Sequence, residues 1–185
     1  MNEIIQIATD ANQLFAQGKY TEALKLYYLI LSKDLNNSVN YCNIGITYEV
    51  LSEPELAIAF YKKAIDIDKT NIRAINNLAR IYVDIAKDYD TAAKYLDYTI
   101  KIAPNDAEAY NTYGNLNLIK EDFKMAETYL KKSIFLDENF FKNYFDLAKV
   151  YIKTEDKTKA KENLHKCLEL NPNFTPAEEL LENIK

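Results

Sequence analysis

Residues 38–71 read SVNYCNIGITYEVLSEPELAIAFYKKAIDIDKTN, and this stretch is the unit that the rest of the chain repeats. It contains one run with helical apolar spacing, a short turn at Ser52-Glu53-Pro54, and a second run of the same kind. Gly45 in the first run and Ala57 in the second are small where a helix surface usually carries bulk. The stretch therefore predicts two helices that a tight turn brings together and that approach each other closely at small residues.

The same small residues return with a period of about 34 along the whole chain. The positions equivalent to Gly45 and Ala57 hold only alanine or glycine: Ala11, Ala79, Gly114 and Ala148 in the first runs, and Ala23, Ala92, Ala126 and Ala160 in the second. One copy is a residue longer, and the extra residue is expected in the turn near Ile85-Ala86-Lys87, where an insertion disturbs least. The period predicts one continuous domain, 1–185, with five repeats at about 4–37, 38–71, 72–106, 107–140 and 141–174.

The segment after the fifth repeat, 175–185, predicts one further helix. Thr175 is placed to cap it, Pro176 suits its first position, and Glu178 completes the capping-box pattern. The helix is expected to run from Pro176 to about Asn183 and to cover the apolar end of repeat five. Such a capping helix is typical of proteins built from stacked repeats.

Composition narrows the possible functions. The chain has 185 residues, a net charge of −5, one histidine, two cysteines and three glycines. Too few metal-binding side chains are present for a zinc site, and no glycine-rich phosphate loop occurs, so we expect no cofactor, no metal and no catalysis.

The net negative charge disfavours nucleic acid as a partner, and no apolar run predicts membrane insertion. The start of the sequence lacks the pattern of a signal peptide, and a cytoplasmic location is the resulting prediction. Neither composition nor pattern predicts the oligomeric state.

A helix–turn–helix unit of this length resembles the tetratricopeptide repeat. The residues of the second repeat that carry the resemblance are Tyr41, Ile44, Gly45, Tyr48, Ala57, Tyr61 and Ala64. Pro104 and Pro172 close repeats three and five in the same manner. The resemblance implies an all-α fold, a right-handed α-solenoid or superhelix, in which the first helix of each repeat lines a concave groove. It further implies that proteins or peptides bind in that groove without any chemistry.

The only two arginines, Arg73 and Arg80, are seven residues apart and share one face of a predicted first helix. By the resemblance this is the face toward the groove. A guanidinium group matches a carboxylate in geometry and charge, which favours a site for an acidic side chain or a C-terminal carboxylate. The alternative is that the two arginines pair with Asp84 or Glu108 on a solvated surface.

Asparagines recur along successive first helices, and by the resemblance they too face the groove. The members of this set are Asn12, Asn43, Asn76, Asn77, Asn111 and Asn115. Because a side-chain amide both donates and accepts, a ladder of asparagines can hold an extended peptide by its backbone. The alternative is that asparagine is simply frequent in this chain and tolerated on an exposed helix surface.

Tetratricopeptide repeat proteins that grip chaperone tails use two asparagines and three basic residues as a carboxylate clamp. By the resemblance, Asn12, Asn43 and Arg73 fit three of these positions. Ala8 and Asn77 occupy the positions of the other two bases, so chaperone-tail binding is not the function we predict.

The predicted function is a protein-interaction scaffold that binds an extended or acidic peptide in the groove. The alternative is a structural or assembly subunit that associates through its edges or convex face. If the groove binds a peptide, the double change Asn77→Ala with Arg80→Ala is expected to abolish partner capture and to leave the melting temperature nearly unchanged.

Overall fold

The computed structural model describes residues 2–184 and shows a chain of helices joined by short turns. No strand occurs in this range. The helices are α1 (Asn2–Ala16), α2 (Tyr20–Lys33), α3 (Ser38–Val50), α4 (Pro54–Ile67), α5 (Ile72–Asp84), α6 (Tyr89–Ile102), α7 (Ala107–Ile119), α8 (Phe123–Leu136), α9 (Phe141–Lys153), α10 (Lys157–Leu170) and α11 (Thr175–Asn183). The predicted all-α class and the pairing of helices into repeats are therefore confirmed.

The chain divides into two compact units, Met1–Lys87 and Asp88–Lys185. In the first unit α1 packs on α2, α3 packs on α4, and α5 packs on both α4 and α3. In the second unit α7 packs on α8, α9 packs on α10, α6 packs on α7, and α11 packs on α10. The single domain 1–185 stays a prediction, and its two end residues, Met1 and Lys185, lie outside the described range.

The turns inside the repeats follow one plan. Four of them have three residues, at 17–19, 51–53, 120–122 and 154–156, whereas the turn at 85–88 has four. The extra residue of repeat three thus lies in the turn, as the sequence predicted. Gly18, in the first of these turns, has a φ of 76°, a conformation that glycine takes freely because it has no Cβ.

All ten small residues that mark the repeat are buried. At Gly45 the reason is a close approach, because a Cβ built there would lie 2.6 Å from Cε1 of Tyr61 on α4. At Gly114 it would lie 2.5 Å from Cγ of Leu130 on α8. Side chains of one helix therefore occupy the space that a larger residue on its partner would need, and the small residues set the distance between paired helices.

The first helices of repeats two, three and four begin with the same kind of cap, whereas Phe140 before α9 makes no side-chain cap bond. Asn37, Asn71 and Asp106 cap α3, α5 and α7 by accepting a backbone N–H three residues ahead. The equivalent residue before α11 is Phe174, whose side chain makes no such bond. The predicted capping box at Thr175 is therefore wrong, because α11 begins at Thr175 and the ring of Phe174 packs against Phe141 and Phe145, with centroids 4.9 and 5.1 Å apart.

Candidate functional site

The predicted site residues Asn12, Asn43 and Arg73 meet around one pocket of about 370 Å³ in the first unit. We call it the Arg73 pocket. Its lining comes from α1, α2, α3 and α5, and consists of Asn12, Phe15, Tyr27, Val39, Asn43, Ile46 and Arg73. Apolar and polar side chains are thus mixed in a cleft that a side chain of a peptide could enter.

Two hydrogen bonds fix the amide groups of this pocket. The Tyr27 hydroxyl donates to Oδ1 of Asn12 at 2.8 Å, and Nη1 of Arg73 donates to Oδ1 of Asn43 at 3.3 Å. Tyr27 is almost fully buried, and this burial raises the pKa of its hydroxyl, an effect that the charge of Arg73 partly offsets. Arg73 itself is exposed and forms no ion pair with any other described residue.

Arg80 has a different environment from Arg73. Its Nη2 lies 2.7 Å from Oε1 of Glu49, whose Oε2 accepts from the Tyr61 hydroxyl at 3.1 Å. The same Nη2 lies 3.3 Å from Oδ1 of Asn77. Burial opposes the charge on Arg80, but the carboxylate of Glu49 keeps the pKa of the guanidinium above its ordinary value. Arg80 is therefore neutralised within the chain, by a carboxylate that the sequence analysis had not considered.

In the second unit, Asn111 and Asn115 surround a buried carboxylate. Their Nδ2 atoms donate to Oδ2 of Asp146 at 3.0 and 2.8 Å, and Nζ of Lys149 lies 2.6 Å from Oδ1. The side chain of Asp146 is only 9% exposed, so these three donors compensate for removing its charge from water. The two amides stabilise a charge that belongs to the chain itself.

The structure therefore sorts seven of the eight predicted site residues into three groups. Asn12, Asn43 and Arg73 line one pocket, Asn77 and Arg80 belong to the network of Glu49, and Asn111 and Asn115 belong to that of Asp146. Asn76 is buried on α5, with 1% of its surface exposed. Because Asn76, Asn77 and Asn111 are all buried, tolerance on an exposed helix surface does not explain them.

The polar residue of the pocket that the sequence did not predict is Tyr27. It lies on α2, the second helix of its repeat, whereas the resemblance implies that only first helices line the groove.

Within residues 2–184 no cluster of His, Cys, Asp or Glu side chains could hold a metal ion. No helix in the described part of the chain is long and apolar enough to cross a membrane.

Three family models described as tetratricopeptide repeat match the chain. They cover residues 40–71, residues 60–94, and residues 107–140 and 141–174. The chain belongs to the tetratricopeptide repeat family. The matches at 40–71, 107–140 and 141–174 coincide with the second, fourth and fifth predicted repeats, whereas the match at 60–94 spans parts of the second and third.

Two relatives match the chain over part of their own length. The chain is 35% identical over 113 residues to the photosystem I assembly protein Ycf3 of Rippkaea orientalis, a match that covers 52% of this chain and 65% of that protein. It is 29% identical over 171 residues to the protein O-mannosyl-transferase TMTC3 of Mus musculus, covering 85% of this chain and 18% of the transferase. The chain thus spans less than two thirds of the length of either relative.

A solved structure confirms the fold over nearly the whole chain. The tetratricopeptide repeat protein TTC0263 of Thermus thermophilus superposes with a TM-score of 0.83 at 17% identity, and the match covers 98% of each chain. At this identity the likeness shows the fold alone. The tetratricopeptide repeat fold supports a role in protein–protein interaction or assembly.

Proposed function

We propose that the chain is a protein-interaction module that binds an extended peptide with an acidic group in the Arg73 pocket. The observation that carries the proposal is the contrast between the two arginines. Arg80 is paired with Glu49, whereas Arg73 has only the neutral Asn43 as its hydrogen-bonding partner among the described residues. A guanidinium group with unused N–H donors at the wall of a cleft favours a carboxylate from a partner.

The rest of the pocket fits the same ligand. Phe15, Val39 and Ile46 provide apolar surface beside the charge, and Val39 is 64% exposed. Exposed apolar surface next to a cation suits a peptide in which an acidic residue has apolar neighbours. Direct contacts are therefore proposed for Asn12, Asn43 and Arg73. A supporting role within their own units is proposed for Asn77 and Arg80 in the first unit and for Asn111 and Asn115 in the second, since the hydrogen bonds described above for them lie within the chain. The buried Asn76 is proposed to support the first unit in the same way.

A second candidate function is assembly through another surface, and one observation favours it. Phe135 on α8 is 81% exposed, and Nζ of Lys132 lies 5.2 Å from the centroid of its ring. Aromatic side chains, phenylalanine included, are enriched at protein–protein interfaces relative to the rest of the surface. The name of the photosystem I assembly protein Ycf3 is compatible with this candidate, although the relative matches only 52% of the chain.

Capture of partner proteins by immobilised variants separates the two candidates. Arg73→Ala is expected to lower the yield of specific partners about tenfold or more, because a charge-assisted hydrogen bond between protein and partner is lost. Lys25→Ala is the matched control, since it removes one exposed positive charge from α2 outside the pocket. Its capture is expected to equal that of the wild type.

The assembly candidate predicts the opposite pattern in the same experiment. If Phe135→Ser abolishes capture and Arg73→Ala leaves it unchanged, the proposed pocket is not the binding site. Quantitative mass spectrometry of the captured proteins measures both outcomes.

The proposal assigns no catalysis to the chain. The relative TMTC3 is a transferase by name, but the match covers 18% of its length. A cytoplasmic location, a protein or peptide partner and the absence of a nucleic-acid partner stay predictions from the sequence.

A further inference from the structure

The two helices of repeat two are joined at a tip, residues 50–56, that exposes three aliphatic side chains. Val50, Leu51 and Leu56 are 46%, 38% and 42% exposed. The equivalent residues are Ala16, Gln17 and Glu22 in repeat one, and Lys153, Thr154 and Lys159 in repeat five. Two other repeats of the same fold therefore place a polar residue or an alanine where the tip of repeat two exposes aliphatic surface.

The turn at this tip does not require aliphatic side chains. It closes through the backbone, where the N–H of Glu53 donates to the oxygen of Tyr48 at 2.9 Å. In repeat five the N–H of Asp156 donates to the oxygen of Tyr151, also at 2.9 Å, although this turn begins with the polar Thr154. Since the backbone closes the turn with either kind of side chain, the exposed aliphatic groups of repeat two are free to serve another purpose.

The same tip carries two carboxylates that lack cations. Glu53 and Glu55 are exposed, and no ion pair of the described residues includes either of them. In repeat five the equivalent of Glu53 is Asp156, whose Oδ2 lies 2.7 Å from Nζ of Lys159. Leu56 occupies the position of that lysine in repeat two. A leucine at this position thus exposes aliphatic surface and leaves the nearby carboxylate without its cation.

Glu53 does not serve as a helix cap either. It precedes α4, just as Asp122 precedes α8 and Asp156 precedes α10. Both aspartates accept a backbone N–H three residues ahead, whereas the side chain of Glu53 makes no such bond. Its carboxylate therefore has neither a cap bond nor an ion pair within the described part of the chain.

We propose that the tip of repeat two is a docking surface for a basic amphipathic helix of a partner protein. Charge complementarity favours a basic partner, since residues 50–56 contain two carboxylates and no cation. The aliphatic side chains suit the apolar stripe of such a helix, and the stems of its lysines or arginines cover them while the charges reach the carboxylates. An extended segment fits less well, because no strand of the described chain offers an edge that it could join.

This docking surface is distinct from the Arg73 pocket. None of residues 50–56 lines that pocket, and the two sites carry charges of opposite sign, although both belong to the first unit. The inference therefore goes beyond the proposed function and does not depend on it. An acidic peptide and a basic helix are recognised at different places.

Fluorescence anisotropy with three labelled synthetic peptides tests the proposal. The first, acetyl-AKLAKLLAKLAKA-amide, places lysines beside a leucine stripe when it is helical. The second, acetyl-AQLAQLLAQLAQA-amide, keeps the leucines without the charge, and the third, acetyl-AKSAKSSAKSAKA-amide, keeps the charge without the leucines. The wild type is expected to bind the first about tenfold more tightly than either of the others, because only the first uses both the carboxylates and the aliphatic side chains.

Two double substitutions locate the surface that binds the first peptide. Glu53→Gln with Glu55→Gln removes the carboxylates, and Leu51→Ser with Leu56→Ser removes the aliphatic side chains. Each pair is expected to weaken binding about fivefold or more. All four side chains are exposed, so the fold is expected to stay intact, which circular dichroism checks.

The matched control is Glu178→Gln with Glu179→Gln. It removes two exposed carboxylates from α11 in the other unit and so makes the same change in net charge. Its affinity for the first peptide is expected to stay within about twofold of the wild type, because charges far from the surface act only through a screened field.

Each contrary result overturns the proposal at a defined point. No binding of the first peptide, or equal binding of the first and second, overturns the assignment of a basic partner. Wild-type affinity in either double variant of the tip shows that the surface lies elsewhere. If sedimentation shows a dimer that Leu51→Ser with Leu56→Ser dissociates, the tip binds a second copy of the chain instead. Arg73→Ala is expected to bind the first peptide as the wild type does, so a failure of the Arg73 pocket and a failure of the tip are told apart.

Discussion

At the scale of single residues, the two arginines have separate roles. Arg80 is 34% exposed at its side chain, and Glu49 is 21% exposed, so their ion pair is partly shielded from water. If one partner is removed, the charge of the other loses its ion pair at a site that water hydrates only partly. Arg80 is therefore expected to stabilise the first unit, whereas Arg73 is exposed and has no carboxylate partner among the described residues.

We expect Arg80→Ala to lower the free energy of unfolding by about 1–3 kcal/mol, because Glu49 loses its cation. Urea unfolding monitored by circular dichroism measures the change. Arg73→Ala is the control and is expected to alter the stability by less than about 0.5 kcal/mol, since its side chain is exposed. If the two changes lowered the free energy of unfolding equally, the ion pair of Arg80 with Glu49 would contribute no more to stability than an exposed arginine does. The double change of Asn77 and Arg80 is thus no clean test of binding, because it removes stability as well.

Three of the eight predicted site residues, Asn12, Asn43 and Arg73, line the Arg73 pocket, but the sequence did not predict what each of the eight touches. Arg73 with Asn43 and Arg80 with Glu49 connect residues 30 and 31 apart, and Asn115 with Asp146 are also 31 apart. These separations are a repeat length minus about one helical turn, as expected for neighbouring first helices. A search for charged partners at this separation would have found Glu49. The contact from Tyr27 has no comparable signal, because it comes from the second helix of its repeat.

At the scale of elements, helix caps show how the repeats differ. Asp88, Asp122 and Asp156 cap α6, α8 and α10 through their side chains. Lys19 stands at the same place before α2 and makes no such bond. Its φ of −86° and ψ of 63° are close to the −84° and 76° of Asp122, so an aspartate would fit there.

Lys19→Asp is therefore expected to raise the free energy of unfolding by about 1 kcal/mol, through the new cap and a better charge at the helix N-terminus. Thermal unfolding measures the gain. Lys25→Glu, which makes the same change of charge on the exposed face of α2, is the control and is expected to give less than half of it. A lower melting temperature for Lys19→Asp would contradict the equivalence of the repeats.

The helices were predicted well because the same pattern of residues occurs five times in the sequence. Small residues such as Gly45 and Ala57 located the helix pairs, and the extra residue of repeat three was placed in the correct turn. The observed start of α11 at Thr175 lies one residue before the predicted Pro176. Only the capping role of Thr175 was predicted wrongly, because the residue before the helix is Phe174, whose ring packs against Phe141.

At the scale of the whole molecule, the chain is a tetratricopeptide repeat protein whose two units each contain a polar network between helices. In the first unit the carboxylate of Glu49 forms an ion pair with Arg80, and in the second the carboxylate of Asp146 forms one with Lys149. Arg73 differs from both cations because no described carboxylate pairs with it. The central claim is that this cation and the amides beside it recognise a partner.

The most direct measurement is a nuclear magnetic resonance titration of the labelled protein with the synthetic peptide acetyl-AIEIA-amide, which carries one side-chain carboxylate, following the side-chain signals of Asn12, Asn43 and Arg73. The account predicts that these three signals shift together and saturably, and that Arg73→Ala abolishes the shifts of the two asparagines. Signals that stay fixed in the pocket while the ring of Phe135 responds would contradict the claim and place the binding surface on α8.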